Sequence, residues 1–138
     1  MPVSATSPQA VLARYRAAML AMDADALAEL YAPDGVHEFP FRFPGFPARY
    51  EGREAVRAGY GAAWAASPAR PAEVEEVALH LTDDPEVLVV EQVVRGELAG
   101  GRGAFAVPGL LVLRVRDGLL VHVRDYMDGL AVSGARPN

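Results

Sequence analysis

A carboxylate flanked by apolar side chains is the first place to look for chemistry. In the stretch Val121-His122-Val123-Arg124-Asp125-Tyr126-Met127-Asp128, alternation places Val121, Val123, Asp125 and Met127 on one face of a strand. An acid there either moves a proton or forms an ion pair with Arg114 or Arg116 across the preceding hairpin. His37 is the one histidine beside an aromatic cluster (Phe39, Phe41, Phe43 and Phe46), and imidazole is the side chain that ordinarily titrates near neutrality. The alternative for His37 is a hydrogen-bonded structural residue. Tyr15 shares an apolar helical stripe with Val11 and Met19, and its hydroxyl is either a donor to a ligand or satisfied within the core. Glu91 alternates with Val87, Val89, Val93 and Arg95, which makes it a second candidate acid. Phe39, Phe41, Phe43, Phe46, Tyr60 and Trp64, with Met127, are the apolar groups that suit a pocket for a flat ligand, although core packing explains most of the aromatics equally well. The histidines at 37, 80 and 122 form no ligand pair and there is no cysteine, so no metal is expected. Gly100-Gly101-Arg102-Gly103 reads as a turn with no helix after it, hence no phosphate cradle.

The elements that must position these groups are legible from caps and periodicity. Ser7-Pro8 starts a helix over about 7–22, and Asp23 or Asp25 caps a short second one carrying Leu27, Leu30 and Tyr31. Pro33-Asp34-Gly35 is expected to stop that helix in a turn. Residues 36–46, rich in Phe and Pro, suit a short strand running into a loop. Helical spacing resumes over 53–66, although Gly59 and Gly61 each weaken a helix by about 1 kcal/mol. Four strands follow over 72–81, 86–98, 105–116 and 119–128, and Asp117-Gly118 is a two-residue hairpin signal. Helices first and an antiparallel meander afterwards predict an α+β fold, with helices on one face of a curved sheet. Residues 7–132 are expected to form one domain between tails at 1–6 and 133–138.

Composition narrows the function classes. The 138 residues are 51% hydrophobic and 22% charged, with a net charge of −5, and a chain of this length buries roughly two-thirds of its unfolded surface. Its basic residues are all Arg, a bias read as genome composition, and they are scattered, which argues against a nucleic-acid partner. No run approaches the roughly 18 apolar residues of a membrane span, and residues 1–7 lack the features of a secretory signal, so a cytoplasmic address is expected. In Val87-Leu88-Val89-Val90 and Leu110-Leu111-Val112-Leu113 both strand faces are apolar. Helices and a pocket cover only the concave face. A homodimer through the outer face is therefore expected, with overhanging loops or termini as the alternative cover.

Several stretches also carry a family resemblance, running from about Pro8 to Leu130. They are Arg14-Tyr15, the run from Asp23 to Asp34 (DADALAELYAPD), His37-Glu38-Phe39-Pro40, the run from Pro47 to Glu54 (PARYEGRE) and the run from Arg116 to Asp128 (RDGLLVHVRDYMD). In these the chain resembles the SnoaL-like group of the NTF2-like (cystatin-like cone) superfamily. The resemblance implies a cone enclosing an apolar cavity, where a few polar groups decide the chemistry. Tyr15 falls where ketosteroid isomerases place their oxyanion-donating tyrosine. Phe39 stands where those enzymes have a catalytic aspartate. If Phe39 faces the cavity, parity brings His37 and Phe41 with it. Asp125 stands where phenazine-pathway and SnoaL-type proteins have an acidic residue acting as general acid. Arg95-Gly96-Glu97 has the Arg-x-acid spacing of limonene-type epoxide hydrolases, with Glu in place of Asp.

The reading that results is a small-molecule-binding cone with an apolar cyclic or polyketide-like ligand and no cofactor. As an enzyme it would be an isomerase or cyclase working by proton transfer. Asp125 would shuttle the proton, Tyr15 would steady the oxyanion and His37 would assist or act as base. Phe39, Phe41, Tyr60, Trp64, Glu91 and Met127 would contact the ligand. A non-catalytic binding domain is the alternative, favoured by Phe39 at the usual base position, and epoxide hydrolysis is a third.

Overall fold

A computed structural model describes residues 4–42 and 45–134. The first helix, α1 (Pro8–Ala21), starts where a hydroxyl can cap it: Ser7 Oγ accepts from the Ala10 amide at 3.2 Å and Pro8 occupies the first turn. Met22 closes it in the left-handed region, at φ 52°. Asp23 caps α2 (Ala24–Ala28) by accepting from the Ala26 amide at 3.0 Å. Then come β1 (Tyr31–Glu38), β2 (Arg49–Glu51), α3 (Arg53–Ala66), β3 (Ala69–Leu81), β4 (Val87–Leu98), β5 (Ala104–Arg116), β6 (Leu119–Met127) and α4 (Gly129–Gly134). The six strands form one sheet in the order β2-β1-β6-β5-β4-β3, antiparallel except where β1 runs parallel to β6. This is the expected α+β arrangement.

Two local expectations are corrected. Tyr31 is not on the second helix, and Pro33-Asp34-Gly35 does not reverse the chain; all four lie within β1. Pairing with β6 passes from Tyr31↔Leu120 to Val36↔His122, so the intervening residues of β1 bulge out of the ladder and absorb the proline. Gly35 makes this possible, because a Cβ there would stand 2.6 Å from the Leu120 carbonyl oxygen. The second correction concerns Val121. Pairing with β5 jumps from Leu120↔Val115 to His122↔Arg114, which leaves Val121 as the extra residue of a bulge. Leu120, rather than Val121, therefore joins Val123 on the inner face, and both are fully buried.

The core lies between that inner face and the helices. Leu88 and Val90 of β4, Leu111, Leu113 and Val115 of β5, and Leu120 and Val123 of β6 meet Val11, Leu12, Tyr15 and Ala18 of α1 and Val56 and Tyr60 of α3. Each fully buried Leu or Val of this set contributes roughly 1.5–3 kcal/mol. Towards the far ends of the strands the packing opens into a hollow. Asp117-Gly118 forms the β5–β6 hairpin turn with both residues at positive φ, as that dipeptide prefers.

Candidate active site

Five polar side chains from four elements converge at the inner end of the hollow. His37 of β1 is fully buried, between Tyr60 at a ring distance of 5.2 Å and Phe39 at 4.9 Å. Its Nδ1 lies 2.7 Å from the Tyr31 hydroxyl. Its Nε2 lies 3.1 Å from Asp125 Oδ2 and 3.0 Å from the Tyr60 hydroxyl. Tyr60 is in turn hydrogen-bonded to Tyr15. Burial is the largest influence on all three phenols and pushes each well above its ordinary value; the negative charge of Asp125 adds to this in every case. All three therefore stay protonated and serve as donors.

Counting protons assigns the direction of each bond. Tyr31 has one proton and one side-chain partner, so its hydroxyl donates to Nδ1. With Nδ1 accepting from Tyr31, the ring proton sits on Nε2, which donates to the Asp125 carboxylate with the Tyr60 oxygen alongside. The Tyr60 proton goes to the Tyr15 oxygen. Tyr15 is left with a proton that points to the hollow, and a phenol that itself accepts a hydrogen bond is a stronger donor. At the other end, Asp125 uses Oδ2 for His37, and its Oδ1 has no partner among the described residues. Its side chain is 11% exposed, and Asp125 is one of the residues lining the cavity.

The hollow has a volume of about 190 Å³. Its wall is mostly apolar: Met19 and Met22 from α1, Tyr60 and Trp64 from α3, Val94 from β4, Phe105 and Val107 from β5, and Met127 from β6. Asp125, Tyr15, Tyr60, Gln92 and Ser67 are the polar groups among the lining residues. Among the described residues, no three His, Cys, Asp or Glu side chains gather as a metal site.

Of the residues singled out from sequence, Asp125, Tyr15, Tyr60, Trp64 and Met127 meet at this cavity. His37 reaches it only through Asp125 and Tyr60. Phe39 lies one layer further back, packed on His37, Phe46 and Tyr50. Two placements depart from expectation. Phe41 lies past the end of β1, where strand alternation no longer applies; it is 64% exposed and rests on Tyr126 of the outer sheet face. Glu91 is on the outer face too, bonded to His80 at 2.7 Å, because its alternation partners Val87, Val89 and Val93 point away from the helices. Arg95 shares that face and pairs with Glu75 at 3.0 Å, so no Arg-x-acid pair enters the cavity. Nor do the nearby arginines claim Asp125. Arg114 bonds Asp84 and Arg116 bonds Glu86, each at 2.9 Å.

Two residues of the site, Tyr31 behind His37 and Gln92 on the cavity wall, are not among those singled out from the sequence. Tyr31 was masked by its assignment to a helix. Gln92 is adjacent to Glu91 and so on the opposite face, aligned with Val90 and Val94, but with both faces of β4 apolar, alternation separates the two residues without saying which is inside.

Comparison with known proteins agrees with this architecture. The sequence pattern of the SnoaL-like domain family matches residues 12–123. The chain belongs to the SnoaL-like family. An uncharacterised PhzA/B-like protein of Pseudomonas aeruginosa is 32% identical over 112 residues, covering 78% of this chain and 74% of that one. A Bacillus subtilis structure provisionally named an isomerase superposes with a TM-score of 0.82 at 24% identity, over 92% of this chain and 90% of that one. A Mycobacterium tuberculosis protein solved with estradiol-17β-hemisuccinate gives 0.72 at 25% identity, over 88% and 95%. Other solved proteins with ketosteroid isomerase-like and NTF2-like folds share the same layout, so this SnoaL-like chain has the NTF2-like fold.

Proposed function

We propose that this SnoaL-like protein binds an apolar cyclic or polyketide-like carbonyl compound and moves a proton on it without a cofactor. One observation carries the reading: a carboxylate oxygen with no partner among the described residues, Asp125 Oδ1, borders an apolar hollow that Tyr15 also lines, and the carboxylate is backed by buried His37. Asp125 takes a proton from the carbon next to the ligand carbonyl, and the C–H electron pair moves to the carbonyl oxygen. Tyr15 donates its hydrogen bond to the enolate oxygen that results. The proton then returns to a different carbon, which is an isomerisation, or the enolate carbon attacks a second carbonyl and closes a ring. His37 donates to Oδ2 throughout and holds the carboxylate in position. A low-dielectric wall strengthens both interactions.

Relatives lend support of a coarser kind. One is provisionally named an isomerase, one is PhzA/B-like, and one was solved with a steroid ester. The test is exchange of carbon-bound hydrogen for solvent deuterium in a panel of cyclic enones and 1,3-diketones, followed by NMR. Asp125→Asn is expected to slow exchange by roughly 10²–10⁴-fold. Exchange at the original rate would remove Asp125 as the proton carrier.

A second reading rests on Phe39, which stands where the isomerases have their base. On that reading the cone binds a ligand and does no chemistry, and the same panel would show binding with no exchange in either form.

We also propose that a second copy of the chain covers the outer sheet face. Val89, Val93, Leu110 and Val112 on that face are half-buried apolar side chains, and Val77 and Phe41 at its margin are mostly exposed. Light scattering at micromolar concentration is expected to give twice the chain mass; a monomer would overturn it.

A further inference from the structure

At the end of the cavity away from the proton-handling cluster lies a polar side chain with half of its hydrogen-bonding capacity unused. Gln92 of β4 is 6% exposed, and its side chain points inward between Val90 and Val94. Arg16 of α1 donates to its Oε1 from Nε and Nη2, both at 3.3 Å, and holds Glu76 of β3 at 3.2 Å with Nη1. A guanidinium can only donate, so it dictates which end of the amide faces it. The oxygen is committed to Arg16 and the NH2 group is turned the other way. Nε2 has no partner among the described residues, and none of the fully enclosed side-chain polar atoms lacks one. That amide nitrogen therefore touches open space, and Gln92 is one of the polar residues lining the cavity.

We propose that Gln92 Nε2 is a second polar subsite, selecting ligands that carry a hydrogen-bond acceptor, a ketone or ether oxygen, at the end remote from the reacting carbonyl. The inference rests on the cavity being the ligand site proposed above. Strand geometry sets the reach. Asp125 pairs with Leu111, which pairs with Val90, and Gln92 is two residues further along β4. Gln92 is thus two strands over and two residues along from Asp125, roughly 12 Å between Cα atoms. Both side chains project into the same hollow and shorten that span to about the length of two fused rings. Between the two poles Gly109 adds no side chain to the wall, which leaves room for the ring system. A buried donor left unpaired is costly, so a ligand lacking the acceptor is penalised as well as unrewarded. Arg16 follows Tyr15 directly in α1, and one turn of helix thus positions a donor at each pole.

The probes are two naphthols of the same shape, 6-acetyl-2-naphthol and 6-isopropenyl-2-naphthol, which differ only in a carbonyl oxygen or a methylene group at the far end. Affinities are measured by fluorescence titration. The wild-type protein is expected to bind the ketone about tenfold more tightly than the alkene. Gln92→Leu should abolish the preference while leaving alkene affinity within about twofold. Gln92→Glu keeps the Arg16 contact yet presents only an acceptor, so the preference should reverse. Equal wild-type binding of the two probes would overturn the proposal. So would an unaltered ketone preference in Gln92→Leu, or an equal loss for both probes. The proposed chemistry fails separately: Asp125→Asn should lose exchange activity and keep the ketone preference. If neither naphthol binds, the ligand cavity itself falls, and this subsite with it.

Discussion

Tyr31 fixes the direction of the whole network from a position no ligand reaches. Its hydroxyl occupies His37 Nδ1 at 2.7 Å, which forces the histidine proton onto Nε2 and so onto Asp125. Tyr31→Phe removes that constraint and leaves a buried ring nitrogen unpaired, at a cost of about 1–3 kcal/mol. Tyr31 acts as a positioning residue, so two readouts should move together. Nitrogen-15 NMR of wild-type His37 should show protonated Nε2 and bare Nδ1, whereas Tyr31→Phe should show a mixture of tautomers. Exchange activity should fall about tenfold through kcat, with KM little changed. A loss of stability with the wild-type tautomer retained would show that Tyr31 is only a packing residue. The sequence disclosed Asp125 because a charge on an apolar strand face is unusual, and Tyr15 because the resemblance extends through it. It disclosed the partnership of His37 only in part, since Nδ1 and Nε2 contacts depend on residues 6, 23 and 88 positions away.

Among the elements, long strands and capped helices were legible while irregularities were not. Ser7-Pro8 and Asp117-Gly118 announce themselves because cap and turn chemistry is local. The bulges in β1 and at Val121 are set by pairing with distant strands, and each of them shifts which side chains face inward. Glu91 was misplaced for a related reason: with both faces of β4 apolar, alternation cannot say which is inside. The β1 bulge matters most for the site, since it sets the spacing between Tyr31 and His37. Gly35→Ala would drive a methyl group to 2.6 Å from the Leu120 carbonyl. Backbone on backbone cannot yield cheaply, so a loss of about 1–3 kcal/mol is expected in urea unfolding. Because the bulge would have to open, exchange activity should fall more than in a variant of equal stability altered elsewhere, such as Ser7→Ala, whose lost cap costs about 1 kcal/mol. Equal activity in the two would mean the bulge has no part in the site.

For the molecule as a whole, burying three phenols around one carboxylate makes the fold lose stability at alkaline pH. Tyr15, Tyr31 and Tyr60 all have folded-state values raised above the ordinary value of 10.0, chiefly by burial. A raised value means that the folded form holds its proton when the unfolded form has released it. The stabilisation is complete below about pH 10 and is lost as pH climbs from there towards the folded-state values. Each phenol, once ionised in the unfolded chain alone, lowers stability by about 1.4 kcal/mol per pH unit, so three together give a slope near 4. Denaturant midpoints measured across pH 8–12 should be flat at first and then fall steeply past about pH 10. Phenolate absorbance from these three residues should appear only with unfolding. Replacing Tyr60 with Phe should reduce the slope by about a third, since one titrating proton is gone. Phenolate signal from all five tyrosines at the ordinary pH in a folded chain would contradict the enclosed network, and with it the donor role assigned to Tyr15.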